Sequence, residues 1–176
     1  MQGLESERLL LEDLVPGHAA ELFPVLRDPE MYTYIPGDPP SSETELRERY
    51  TRQTNHAAED ELWLNWILRL KEGRECIGYV QATLPKASSA LIAYQLSPRF
   101  WGKGYAFEAC GAVLARLATV HSVREIRAEI DSRNTASIRL VERLGFRREA
   151  FRERADFFKG SWSDEIVFVL QLESRT

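Results

Sequence analysis

The chain has 176 residues, with 23 Lys and Arg against 27 Asp and Glu, and a formal net charge of −4 at pH 7. This length predicts one domain over residues 1–176, and the charge balance argues against nucleic acid as a partner while suiting a cationic substrate. The spacing of the cysteines and histidines predicts no metal site, and the charged N-terminal stretch, with no long apolar run after it, predicts a cytoplasmic protein without membrane contact.

The first half of the chain predicts a strand, two helices and an antiparallel meander. The strand covers residues 8–14, and a helix over 16–27 is bent by Pro24. An ordered loop over 28–40 follows, and then a helix over 42–55 that opens with a capping box at Ser42 and Glu45. Alternating apolar residues predict a strand over 62–70. Turns at 71–74 and 85–88 connect it to strands over 75–84 and 90–96.

The second half alternates helices with strands. An amphipathic helix over 105–120 precedes a short strand over 125–130, and a second helix over 135–144 ends at Gly145. Strands over 146–157 and 164–172 complete the chain. Because a helix connects strand 90–96 to strand 125–130, we expect those two strands to be parallel neighbours.

The segment between strand 90–96 and helix 105–120 is typical of an anion-binding turn. Pro98 ends the strand, and Gly102 and Gly104 allow backbone N–H groups to approach a ligand closely. The helix start adds free N–H donors and the positive end of the dipole, while Arg99 and Lys103 add charge. The segment predicts a site for a diphosphate, with an ordinary glycine-rich turn as the alternative. It is neither a Rossmann fingerprint nor a Walker A loop.

A second polar turn follows strand 125–130 and contains Asn134 and Ser137. Asn134 can bind the amide of an extended ligand lying between the two parallel strands, or it can cap the next helix. Ser137 lies one helical turn further on, where it can face the same cleft or the solvent.

Together these features resemble the GNAT superfamily of acyl-CoA N-acyltransferases, and in particular its RimJ/RimL-type branch. The Arg-x-x-Gly-x-Gly signature lies at Arg99, Gly102 and Gly104. Further similarity lies in residues 101–109, in Asn134 with Ser137, in residues 144–146, and in a Lys-Gly-x-Trp-x-Asp-like pattern at 159–164. The resemblance implies a mixed α/β GNAT fold. Its mostly antiparallel sheet would have about seven strands, with two central strands parallel and splayed and helices on both faces.

The resemblance also implies an N-acetyltransferase in which a primary amine directly attacks the acetyl group of acetyl-CoA, with no metal. Pantetheine would lie between the splayed strands, with the diphosphate on residues 102–106. The expected coenzyme A contacts are Leu96, Ser97, Arg99, Trp101, Gly102, Lys103, Gly104, Tyr105, Ala106, Asn134 and Ser137.

Three residues are candidates for catalysis by the same resemblance. They are Leu96, whose backbone N–H would stabilise the oxyanion, Ser137, which would donate a hydrogen bond to the leaving thiolate, and Asn134. Many members of the superfamily use a tyrosine for that donation, but Val141 stands at the corresponding position here. No general base stands out: Glu75, Gln95, Asp156 and Tyr94 are explained equally well as residues of a solvated strand face.

The acceptor side is expected in loop 28–40, helix 42–55 and the C-terminal hairpin. The candidate substrate contacts are Tyr32, Tyr34, Tyr94, Gln95 and Phe158. A protein N-terminus and a small-molecule amine stay open as acceptors. A longer acyl donor such as succinyl-CoA, a non-catalytic CoA-binding sensor or interaction domain, and a homodimer also stay open.

Overall fold

The computed structural model of the chain describes residues 3–55, 61–85 and 88–172. The strands are β1 (Leu4–Glu5), β2 (Leu9–Asp13), β3 (Glu61–Leu70), β4 (Cys76–Pro85), β5 (Ser89–Leu96), β6 (Glu125–Asp131), β7 (Arg147–Phe158) and β8 (Ser161–Gln171). The helices are α1 (Ala19–Leu26), α2 (Glu43–Asn55), α3 (Tyr105–Val120) and α4 (Thr135–Arg143). The strands form one sheet in the order β1-β2-β3-β4-β5-β6-β8-β7, in which only β5 and β6 are parallel neighbours.

The predicted fold class is confirmed, with one strand more than expected. The additional strand, β1, has two residues, which is too short to produce a periodic pattern. The helix expected over 16–27 begins as a 3₁₀ turn, and loop 28–40 contains a short 3₁₀ helix over Pro29–Tyr32. The capping box is half present: the Ser42 hydroxyl accepts from the Glu45 N–H at 3.1 Å, but the Glu45 carboxylate accepts from Ser41. Part of the turn expected at 85–88 lies outside the described residues.

Alternation along β3 separates two hydrophobic cores, one on each face of the sheet. Trp66 and Leu68 belong to the core that packs against α3 and α4. Ile67, between them, belongs to the core under α1 and α2. The sheet is therefore covered by helices on both faces, as expected.

A buried arginine links α1 to this sheet through ion pairs. Arg69 on β3 is 8% exposed, and its guanidinium lies 2.7 Å from carboxylate oxygens of both Glu12 on β2 and Glu21 on α1. The hydrogen bonds from Arg69 hold the pKa of both glutamates below the ordinary value, against the effect of burial.

The parallel pair is splayed. Strands β5 and β6 pair only where residues 89–91 face residues 125–127, and both strands continue beyond that point without pairing to each other. Strand β5 stays paired to β4 up to Leu96, which faces Gly78. A Cβ on Gly78 would lie 2.1 Å from the Gln95 carbonyl oxygen, so only glycine allows this close approach of the two backbones. The result is an opening between the C-terminal ends of β5 and β6.

Candidate active site

The opening between β5 and β6 forms a cavity of about 470 Å³. One side consists of residues 100–102 and 104–107, which follow β5, and of residues along α4, which follows β6. The other side is the segment containing Glu30, Met31, Tyr34 and Ile35, from loop 28–40. The cavity therefore passes through the sheet from the face of α3 and α4 to the face of α1 and α2.

The glycine-rich turn lies at this cavity, as the sequence predicts. Gly102 and Gly104 have φ of 71° and 83°, and both line the cavity together with Trp101, Tyr105 and Ala106. Gly104 is the N-cap of α3, so the first N–H groups of this helix have no partner within the helix. An anion in the cavity would meet these donors and the positive end of the helix dipole.

Three of the expected coenzyme A contacts, Ser97, Arg99 and Lys103, are not among the described residues that line the cavity. The Arg99 side chain is 74% exposed and forms an ion pair with the Glu75 carboxylate at 3.0 Å. This ion pair explains the orientation of both side chains. Ser97 is buried, and its N–H donates to the Ile77 carbonyl at 2.8 Å. Lys103 lies with its Nζ atom 5.3 Å from the centre of the Phe100 ring.

The cation that contacts the turn is Arg8, which the sequence analysis missed. Its guanidinium donates to the Lys103 carbonyl at 3.1 Å and to the Glu108 carboxylate at 2.7 Å, and it lies 4.3 Å from the centre of the Tyr105 ring. Burial raises the pKa of Glu108, but hydrogen bonds from Ser6 and Arg8 outweigh this and hold it below the ordinary value. Because Arg8 and Glu108 are 100 residues apart, no local pattern could have predicted this contact.

The free edge of β5 presents its backbone to the cavity. In an antiparallel pair, hydrogen-bonded and non-hydrogen-bonded positions alternate, and the Ser97 N–H donates toward β4. The N–H and C=O groups of Tyr94 and Leu96 therefore point away from β4, toward the opening. The Leu96 carbonyl accepts from the Trp101 indole at 2.7 Å, which leaves the Leu96 N–H directed at the cavity.

Asn134 and Ser137 both line the cavity at the start of α4. The Asn134 side-chain oxygen accepts from the Ser137 N–H at 3.2 Å, so Asn134 does cap the helix. Its Nδ2 group donates no hydrogen bond to the described residues and is available to a ligand. The capping and cavity-facing interpretations are thus compatible.

Tyr94 on β5 is another residue of this cavity. Tyr94 lines the cavity, while its hydroxyl is buried and has no hydrogen-bond partner among the described residues. Burial raises the pKa of Tyr94, the neighbouring Cys110 adds to the effect, and the Ser137 hydroxyl opposes it. The phenol is therefore neutral at pH 7 and can donate a hydrogen bond.

Of the other expected substrate contacts, Tyr34 and Gln95 line the cavity, whereas Tyr32 and Phe158 do not. Tyr32 is 5% exposed in the core under α1 and α2, and its hydroxyl donates to the Leu26 carbonyl at 3.0 Å. Phe158 lies near the end of β7, where the Lys159 Nζ atom is 5.4 Å from the centre of its ring.

Two residues hold the acceptor-side loop in place. The Gln95 amide donates to the Met31 carbonyl at 3.2 Å and accepts from the Tyr79 hydroxyl at 2.7 Å. The Lys159 ammonium donates to the carbonyls of Ile35 and Gly37 at 2.8 and 3.0 Å.

Glu30 supplies the one carboxylate among the described residues that line the cavity, and sequence reasoning missed it. No sequence pattern distinguishes a functional glutamate in a loop from an ordinary surface glutamate. Among the described residues there is no group of three or more His, Cys, Asp or Glu side chains that could hold a metal, and no helix long and apolar enough to cross a membrane.

Comparisons with known proteins agree with this geometry. Residues 8–147 match the family model of the acetyltransferase (GNAT) domain. An uncharacterized N-acetyltransferase of Bacillus licheniformis is 27% identical over 172 residues, which cover 97% of this chain and 96% of that protein. The [ribosomal protein uS5]-alanine N-acetyltransferase of Escherichia coli is 28% identical over 79 residues, 45% of this chain and 41% of that enzyme.

The fold is also similar to that of RimL, a ribosomal L7/L12 alpha-N-protein acetyltransferase solved in complex with coenzyme A. The two structures have a TM-score of 0.87 at 18% identity, over 98% of this chain and 99% of that chain.

Proposed function

The chain belongs to the GNAT family of acetyltransferases, which use acetyl-CoA as co-substrate, and on this premise we propose that it acetylates the α-amino group of a protein or peptide N-terminus. The observation that carries the proposal is the opening between β5 and β6. It brings a helix N-terminus, an unpaired strand edge and two polar side chains to one cavity. We also propose that the chain acts as a single domain, because all the described strands belong to one sheet.

The residues at the cavity fit coenzyme A. The N–H groups of residues 102–106 can donate to a diphosphate, and Arg139 and Arg143 on α4 line the same side of the cavity and add positive charge. The free N–H and C=O groups of β5 can pair with the amides of pantetheine. Asn134 Nδ2 can donate to one of the pantetheine carbonyls from the opposite side.

The reaction joins the acceptor nitrogen to the acetyl carbon and breaks the thioester C–S bond, which leaves the electron pair on sulfur. The Leu96 N–H can donate to the acetyl oxygen as negative charge develops there. The Ser137 hydroxyl can donate to the departing sulfur. A hydrogen bond describes this role better than proton transfer, because a serine hydroxyl is a very weak acid.

The acceptor would enter from the side of loop 28–40. The amine must be neutral to attack, and Glu30 can take up its proton directly or through a water molecule. Tyr34, Met31 and Ile35 form a mixed aromatic and apolar wall beside this carboxylate. A protein N-terminus is favoured as acceptor by the similarity to enzymes whose names specify ribosomal-protein N-termini.

The proposal is tested by incubating the protein with acetyl-CoA and peptides that have a free α-amino group. Thiol release and mass spectrometry of the peptide should show acetylation at the N-terminus. Peptides with a blocked α-amino group but a free lysine serve as the control. Acetylation of small amines alone would contradict the acceptor assignment, while faster turnover of succinyl-CoA would contradict the acetyl group. Coenzyme A binding without any thiol release would instead identify a non-catalytic binding domain.

A further inference from the structure

An ion pair between Arg8 and Glu108 lies beside the turn that is expected to hold the diphosphate of coenzyme A. Arg8 directly precedes β2, and its Nη1 atom donates to the Lys103 carbonyl at 3.1 Å. Its Nη2 atom would lie 3.4 Å from a Cβ on Gly104. Its Nε atom donates to the Glu108 carboxylate at 2.7 Å. One guanidinium group therefore contacts both the glycine-rich turn and this carboxylate.

Glu108 places a negative charge at the end of α3 that is expected to bind an anion. It belongs to the first turn of the helix, and its N–H donates to the Gly104 carbonyl at 3.0 Å. It follows Ala106 by two residues, or about 3 Å along the helix axis. Physiological salt screens charges only beyond about 8 Å, so an unpaired Glu108 would repel a diphosphate bound to the N–H groups of residues 102–106.

Glu108 is held in this position by further hydrogen bonds. Its Oε1 atom accepts from the Ser6 hydroxyl and from the Arg8 backbone N–H, both at 2.6 Å. Its side chain is only 15% exposed, and burial raises the pKa of the carboxyl, but the hydrogen bonds from Ser6 and Arg8 outweigh this and lower it. The group is therefore ionised at neutral pH, and its charge needs a compensating cation.

We propose that Arg8 is a positioning residue for coenzyme A, because it neutralises the Glu108 carboxylate and so allows the N-terminal end of α3 to bind the diphosphate. This inference rests on the proposed function, and within it on the placement of the diphosphate at residues 102–106. Arg8 is not among the described residues that line the cavity, which favours an effect through Glu108 over direct contact with a phosphate.

The test measures the calorimetric Kd of coenzyme A for Arg8→Met, Glu108→Gln and the double variant. Methionine keeps an apolar side chain beside the Tyr105 ring without the charge, and glutamine keeps an oxygen that can accept from Ser6. Arg8→Met should weaken binding about 3- to 30-fold, the effect of one first-turn charge on the two charges of a diphosphate. Glu108→Gln should bind no more weakly than the parent. The double variant should recover most of the affinity that Arg8→Met loses.

Two controls separate this role from a change in net charge and from a general loss of structure. Arg47→Met removes the cation of the exposed Arg47–Glu43 ion pair on α2 with the same change in net charge, and it should bind coenzyme A like the parent. Arg8→Lys keeps a cation and should bind coenzyme A more tightly than Arg8→Met. With a peptide that the parent acetylates, Arg8→Met should raise the KM for acetyl-CoA with little change in kcat, because the repulsion acts on binding.

Dephospho-coenzyme A, which keeps the diphosphate but lacks the 3′-phosphate, should show the same fold-loss with Arg8→Met. A loss seen only with the 3′-phosphate present would overturn the inference, as would a double variant that binds as weakly as Arg8→Met, or an Arg8→Met variant with the parental Kd. If Arg8→Met does not fold, weaker binding by Glu108→Gln than by the parent would overturn it. A parent that binds coenzyme A but acetylates no peptide would overturn the proposed function and leave this inference standing.

Discussion

We expect the substitution Gly104→Val to weaken coenzyme A binding while the protein still folds. The φ of 83° and ψ of 0° at Gly104 lie in the left-handed region, which costs an L-residue about 1–2 kcal/mol and a β-branched residue more. A Cβ there would meet the Arg8 guanidinium at 3.4 Å, a contact that a small shift can accommodate. The main effect of Gly104→Val is therefore on the backbone rather than on packing.

The turn can respond to the backbone strain of Gly104→Val in two ways, and both weaken coenzyme A binding. If the turn keeps its shape, the protein loses about 1–2 kcal/mol of stability, or roughly 2–8 °C in Tm for a chain of this size. If the turn relaxes to negative φ, the N–H groups at the start of α3 turn away from the cavity. In either case valine also places methyl groups beside the expected diphosphate site. We expect the affinity for coenzyme A to fall at least about tenfold, equivalent to about 1.4 kcal/mol.

The matched control is Gly73→Val in the β3–β4 turn. Gly73 has a φ of 76° and does not line the cavity, and a Cβ on it would have no heavy atom of the described residues within 4 Å. It should lose similar stability in urea unfolding while binding coenzyme A like the parent in calorimetric titration. If both glycine variants bind coenzyme A like the parent, residues 102–106 do not hold the diphosphate and the reasoning fails.

Three further predictions concern the start of α4 and the buried arginine. Ser137→Ala should lower kcat about 10- to 100-fold with little change in KM for acetyl-CoA, since the lost donor acts mainly in the transition state; weaker coenzyme A binding at unchanged kcat would make Ser137 a binding contact only. Asn134→Asp keeps the oxygen that caps α4 but removes the Nδ2 donor, so coenzyme A affinity should fall about tenfold at unchanged stability, and parental affinity would contradict the proposed contact. Arg69→Met should lower the free energy of unfolding at pH 7 by about 1–2 kcal/mol, a value discounted because the Glu21 side chain is half exposed. Because the pKa of both glutamates is lowered in the folded protein, their stabilisation is present above the pKa of an unfolded glutamate, about 4.3, and is lost as the pH falls through the folded values. Urea unfolding should therefore show a smaller difference between parent and Arg69→Met at about pH 3 than at pH 7, and an equal difference would show that the carboxylates do not contribute.

The sequence predicts those parts of the site that lie within one turn or one strand. The left-handed glycines before α3 and the cap at Asn134 depend on neighbours a few residues away, and local patterns carry that information. The bounds of α3, Tyr105–Val120, agree with the prediction for the same reason.

The parts that the sequence did not predict depend on contacts between distant segments. Arg8 reaches Glu108, and Lys159 reaches the carbonyls of Ile35 and Gly37 more than 120 residues away. Arg99 has the spacing expected of a phosphate contact, but its ion pair with Glu75, just before β4, was not predicted. Tyr32 stands in a polar, proline-rich loop, but the short 3₁₀ helix turns its ring into the core.

The splay of β5 and β6 explains why the site lies where it does. In a closed sheet, the backbone groups of Tyr94 and Leu96 would pair with a neighbouring strand, and leaving them unpaired in the interior would be costly. Trp101 satisfies the Leu96 carbonyl from the side, while Gly78 lets β4 follow β5 closely to the end of the strand. The groups that remain free are those that an extended, amide-containing ligand can pair with, as an added strand would. The interruption of the sheet therefore leaves backbone N–H and C=O groups of β5 unpaired, and these same groups favour an extended ligand that contains amides.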